Sequence, residues 1–158
     1  MNLTQARLMH SCRGMAVKNK ILIVEDNHDA RELLTLFLRR SGFEILEAST
    51  GFEAIDQTQA GHPDLILMDL GLPKMSGDEA VVRLKEDLST RHIPIIVNTA
   101  FDKRGAPVQR ALAAGAEEVM HKPVDFKALL TIVRRYLSND PALVPPSPQA
   151  HGLRPAAV

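Results

Sequence analysis

Residues 65–68, Leu-Ile-Leu-Met, form an unbroken apolar run that ends in a carboxylate, Asp69, followed at once by Leu70-Gly71-Leu72-Pro73. A run of strand length with no polar alternation has no face to offer water. It fits a strand covered on both sides, which is the condition of a parallel sheet. Asp69 then stands where the strand leaves the sheet, at its carboxyl end, where open α/β sheets place their ligands. A lone aspartate there is most simply a turn residue. Its companions elsewhere in the chain argue otherwise.

A second continuous apolar run, Ile21-Leu22-Ile23-Val24, closes on Glu25-Asp26-Asn27. Phe43 to Glu47 reads as a short strand, Pro94 to Ala100 as a fourth that ends near Thr99, and Glu117 to His121 as a weaker fifth running into Lys122-Pro123. Between them lie helical patterns. Leu33, Leu34, Phe37 and Leu38 are spaced as one face of a first helix, with Gly42 just past its end as a C-cap. Thr50 with Glu53, and Ser76 with Glu79, have the spacing of capping boxes that open two further helices, the first ended by Gly61 and the second running to about Leu88. An alanine-rich helix over 107–114 stops at Gly115, and a last one starts near Asp125 with Phe126, Leu129, Leu130, Val133 and Leu137 on one face. Five strands alternating with five helices imply an α/β fold, a parallel sheet with helices on both faces. Right-handed crossovers leave few topologies, the order 2-1-3-4-5 among the common ones. In that order strands one and three are neighbours, so Glu25, Asp26 and Asp69 share one rim.

The 158 residues suit one domain, and 45% apolar content is enough for a core. The pattern divides the chain into an N-terminal extension (1–18, with Met15 as an alternative start), a folded domain (19–138) and a proline-marked tail (139–158) that cannot bury a core. Lys plus Arg equals Asp plus Glu at 19 each, so nothing global points to nucleic acid or a membrane surface. With no apolar run of membrane-spanning length and no secretory h-region, the expectation is a cytoplasmic protein. Cys12 is the only cysteine, and His10, His28, His62, His92, His121 and His151 show no paired ligand spacing. Asp29, Asp64, Asp78 and Asp125 read as helix-start or turn residues.

Three carboxylates side by side repel, so either one takes a proton or a cation joins them. Mg²⁺ suits an all-oxygen site and keeps room for water and phosphate oxygens. Lys122 adds a point positive charge for a phosphoryl oxygen, and Thr99 a hydroxyl donor. These are the parts that phosphoryl transfer needs, positioning and charge neutralisation. A carboxylate attacking phosphorus yields an aspartyl phosphate.

Glu25-Asp26, Asp69-Leu-Gly-Leu-Pro73 with Gly77, Thr99-Ala100 and Lys122-Pro123, in this order and spacing, resemble the receiver domain of bacterial two-component response regulators over about 20–137. The resemblance implies the flavodoxin-like 2-1-3-4-5 sheet and a signalling protein rather than an enzyme. It makes Asp69 the phosphoacceptor for a histidine kinase or histidine phosphotransfer protein. Asp26 would hold Mg²⁺ directly and Glu25 through water, with the Gly71 carbonyl completing the protein ligands. Lys122, before a cis proline, would hold a phosphoryl oxygen, and Thr99 would swing toward the phosphoryl group. With no output segment after Leu137, the signal is expected to pass to a downstream protein target, or into a homodimer, through the face of helix four, strand five and helix five. Three residues depart from the family pattern. Val119 replaces the aromatic residue whose rotation couples to the threonine, Val124 replaces a Phe, and Asn98 is polar on an otherwise apolar strand. The chemistry is untouched by these changes, whereas the aromatic part of the switch is lost. Phe101, two positions beyond Thr99, is a candidate for shaping access to the site.

The alternatives fit less well. A phosphatase of the haloacid-dehalogenase type needs a second Asp where Gly71 stands, and a cobalamin-binding domain needs a histidine in the same turn. A receiver-shaped module that binds its partner without phosphorylation is the stronger competitor. It should be indifferent to Asp69→Asn.

Overall fold

A computed structural model describes residues 18–138; the extension and the tail delimited above fall outside the described residues, apart from Lys18. The chain alternates β1 (Lys20–Val24), α1 (His28–Arg40), β2 (Glu44–Ala48), α2 (Gly51–Gly61), β3 (Leu65–Met68), α3 (Gly77–Glu86), β4 (Ile95–Thr99), α4 (Ala106–Ala114), β5 (Glu118–His121) and α5 (Phe126–Leu137). All neighbouring strands pair in parallel, in the order β2-β1-β3-β4-β5. The apolar runs occupy the three inner strands, buried along nearly their whole length, while β2 and β5 form the half-exposed edges.

Because successive strand residues point to opposite faces, each run feeds two cores. Ile21, Ile23, Leu65, Leu67 and Ile96 pack with Leu34 and Leu38 of α1 and Leu129 and Val133 of α5. Leu22, Val24, Ile66, Met68, Ile95 and Val97 pack with residues of α2, α3 and α4, among them Ala54, Val81, Leu84 and Val108. This two-sided burial is why the inner strands carry no polar alternation. Among the described residues no helix is long and apolar enough to cross a membrane.

Three local expectations are revised. Leu33 is 55% exposed, and the buried positions of α1 are Leu34, Thr35 and Leu38. At about 100° per residue Leu33 lies over 100° from the centre of that stripe, whereas Thr35 falls inside it. The α2 helix does not end by a glycine C-cap. Gly61 is its last residue, and the left-handed conformation (φ 47°) belongs to His62. Gly61 lies close under Leu46, whose Cδ1 would have to move to admit a Cβ there. At α3, Ser76 is the N-cap but makes no side-chain cap bond, and the Glu79 carboxylate pairs with Arg83 one turn on instead of reaching back to Ser76. The other box forms in shifted register: Thr50 Oγ1 accepts from Glu53 N (3.1 Å), and the Glu53 carboxylate accepts from Ser49 N (2.7 Å) rather than from Thr50. Gly42 (φ 100°) and Gly115 (φ 116°) do adopt the conformation that favours glycine at helix ends.

Candidate functional site at the carboxyl rim of the sheet

The parallel ladder carries the rim acids into register. Glu25 N donates to Ala48 O (3.1 Å) and Asp69 N to Val24 O (3.0 Å), so the residues just beyond β1 and β3 continue the sheet by one step. Their carboxylates meet there. One oxygen from each of Glu25, Asp26 and Asp69 lies within 4.8 Å of the others. Glu25 (2% exposed) and Asp69 (6%) are buried, while Asp26 is exposed.

Lys122 closes the cluster from β5. Its backbone N–H donates to Thr99 O (3.0 Å), and its Nζ donates to Glu25 Oε2 (2.6 Å) and Asp69 Oδ2 (2.8 Å). The Lys122–Pro123 peptide bond is cis, as the resemblance implies. Burial pulls the Lys122 pKa down, but hydrogen bonds to Asp69 and Glu25 and their charges more than offset this, leaving it above the ordinary lysine value. One ammonium thus faces three carboxylates. The remaining negative charge and the all-oxygen donor set fit a hard divalent cation.

The other positions singled out in the sequence take different places. Gly71 donates its amide to Asp69 Oδ1 (3.0 Å), so the turn after β3 orients the carboxylate from the side opposite Lys122. Thr99 is fully buried at the end of β4, and its hydroxyl accepts from Phe101 N (3.2 Å). The Phe101 ring flanks the cleft: a Cβ on Gly71 would lie 3.9 Å from Phe101 Cε2 and 3.8 Å from Asp69 Oδ1. Beyond that ring a groove of about 590 Å³ is lined by residues 100–104 and His121. Val119 is half-buried beside Val97 and packs against the α2–α4 core. Asn98 is buried, its Oδ1 without a partner among the described residues.

Two contributors escaped sequence reasoning. Arg31 Nη1 donates to Glu25 O (2.6 Å), bracing the acidic loop from α1, although its sequence setting is that of a solvated helix residue. Gly77, read only as part of a motif, lets α3 start directly beneath Asp69. A Cβ there would overlap the Asp69 carbonyl oxygen.

Three acids and a lysine gathered at the switch-point rim of a doubly wound sheet stand where open α/β folds bind their ligands. The family model for the response regulator receiver domain matches residues 21–134, and the chain belongs to that family. The polar-differentiation response regulator DivK of Brucella ovis is 38% identical over 119 residues, which cover 75% of this chain and 96% of that protein. The receiver domain of a signal-transduction histidine kinase from Syntrophus aciditrophicus superposes with a TM-score of 0.70 at 33% identity, covering 75% of this chain and 89% of that one. The receiver domain of a sensor histidine kinase from Pseudomonas aeruginosa, solved with magnesium coordinated in its active-site cleft, matches with a TM-score of 0.69 at 28% identity over 75% of this chain and 97% of its own.

Proposed function

We propose that this receiver domain accepts a phosphoryl group on Asp69 from a phosphohistidine of a kinase or phosphotransfer protein, and passes the signal to a protein partner in the cytoplasm. The observation that carries this reading is the buried Asp69 carboxylate held between the Gly71 amide and Lys122 Nζ, with Glu25 and Asp26 alongside. One Asp69 oxygen forms the bond to phosphorus as the P–N bond breaks, and the imidazole leaves with the electron pair and takes a proton. Lys122 neutralises a phosphoryl oxygen, Gly71 N–H fixes the orientation of the nucleophile, and Thr99 supplies a hydroxyl at the adjoining strand end. Mg²⁺, held by Asp26 and Asp69, by Glu25 through water and by the Gly71 carbonyl, would supply the charge neutralisation that lets an anionic carboxylate approach an anionic phosphoryl group.

Intact-protein mass after incubation with acetyl phosphate and Mg²⁺ tests the proposal. One added phosphoryl group is expected, absent without Mg²⁺ and absent in Asp69→Asn. A folded protein that takes up no phosphate, and whose partner binding is indifferent to Asp69→Asn, would establish a constitutive interaction module instead.

A further inference from the structure

Asp78, the second residue of α3, is a buried carboxylate that the acid cleft does not use. Its side chain is 2% exposed, and Arg110 Nε of α4 lies 2.9 Å from Oδ2. No hydrogen bond reaches that oxygen among the described residues, so its compensation is this arginine and the positive end of the α3 dipole. Arg110 itself is 62% exposed. The sequence assigns Asp78 to an ordinary helix start; the fold pairs it, buried, with the exposed Arg110.

The pair joins two elements held very unequally. The start of α3 is locked to the strand end that carries Asp69. Gly77 N donates to Leu70 O (3.1 Å), and a Cβ on Gly77 would overlap the Asp69 carbonyl and approach Leu70 Cα to 2.7 Å. The start of α3, with Asp78 as its second residue, thus packs directly on the backbone of Asp69 and Leu70. By contrast α4 buries only Val108 and Ala111, and it begins at Gly105 with no side-chain cap. Like α5, which also buries only two residues, α4 has few buried anchors, and its main packing is against α3. A buried carboxylate that loses its cation is costly, so α4 is constrained to follow α3.

We propose that Asp78–Arg110 is the tether that holds α4 to the Asp69 end of β3, and the link by which the state of Asp69 reaches α4. The second half of this rests on the phosphoacceptor reading. Val119 packs into the apolar core where the resemblance leads one to look for a rotating aromatic side chain. A polar link from α3 gives this chain another route to the same helix.

Amide hydrogen exchange of the full chain, followed peptide by peptide with intact mass recorded in parallel, tests both halves. In Arg110→Ala without phosphorylation, exchange over 106–114 should accelerate roughly tenfold while peptides from α1 and α5 stay unchanged, as expected for local rather than global opening. Asp78→Asn should give the same local change, and the double variant no more than either alone. After acetyl phosphate and Mg²⁺, α4 exchange should change in the native chain and stay flat in Arg110→Ala at equal phosphate uptake. Unchanged α4 exchange in unphosphorylated Arg110→Ala overturns the tether. A full phosphorylation response in that variant overturns the link. A native chain that takes up no phosphate defeats the phosphoacceptor reading and the link with it, while the tether is still decided by the unphosphorylated variants.

Discussion

Replacing Lys122 by Met keeps the apolar stem and removes the one cation shared by two buried carboxylates. Glu25 and Asp69 then face each other with oxygens within 4.8 Å. At an effective dielectric of about 20, two unit charges at that separation repel by roughly 3.5 kcal/mol, a repulsion that the lysine offsets in the native protein and that its loss leaves uncompensated. Two effects reduce this figure. Lys122 is itself 27% exposed, so part of its attraction is screened by water, and removing it also removes its own desolvation cost. A net loss of about 2–3 kcal/mol follows, which at a urea slope of roughly 1–3 kcal/mol per molar lowers the midpoint by about 0.7–3 M. Far-UV circular dichroism in urea, with chelator present, measures it. Excess Mg²⁺ should narrow the deficit, because a divalent cation among the same oxygens replaces the missing charge. The pH dependence has a definite sign. With its folded pKa raised above the ordinary 10.5, Lys122 contributes fully below that value, and the contribution is lost as pH rises through the higher folded value. The gap between native and variant should thus persist through neutral pH and close only in strongly alkaline solution. A midpoint within about 0.3 M of native in chelator at neutral pH would refute the reasoning.

Burial and the nearby Glu118 push the Tyr136 phenol up to about 12, although Arg135 opposes this. As the sole tyrosine in a chain without tryptophan, it can be followed by alkaline absorbance titration, and a midpoint near the ordinary 10 would show that the α5 packing is wrong. Gly77→Ala forces the start of α3 away from Asp69 and should cost about 2–3 kcal/mol in urea unfolding while weakening Mg²⁺ binding in calorimetry; a neutral substitution would mean the α3 contact is loose. Lys85 Nζ bonds Ile93 O (2.8 Å), Arg91 O (3.2 Å) and Glu117 Oε1 (2.9 Å), tying the turn before β4. Lys85→Met should lower stability by about 2 kcal/mol, read as a thermal shift, with phosphate uptake unaffected.

The inner strands were legible because burial on both faces leaves a one-dimensional signature, a continuous apolar run, that needs no knowledge of partners. The rim acids were legible for a related reason: once strands end in a known order, residues just beyond them must be neighbours. Helix ends were less so. Thr50, Gly42 and Gly115 act locally and took their expected places, whereas Ser76 caps α3 without a side-chain bond and the Glu79 carboxylate turns to Arg83, choices that spacing alone does not rank. Leu33 misled for a similar reason, since a leucine beside a stripe looks like part of it until the helix phase is fixed by the sheet beneath.

By itself, then, the sequence determined the alternation of elements, the parallel sheet and the set of acids, hydroxyl and lysine at its carboxyl rim. Those features follow from hydrophobic period and strand termination, which are properties of the chain. The tertiary structure alone decided which charges share which partners. Lys122 bridges Glu25 and Asp69, Arg31 braces the loop behind Glu25, and Asp78 sinks beneath α4 to meet Arg110. Those pairings join residues far apart in sequence, and their energies depend on burial, which exists only once the two layers of helices have closed on the sheet.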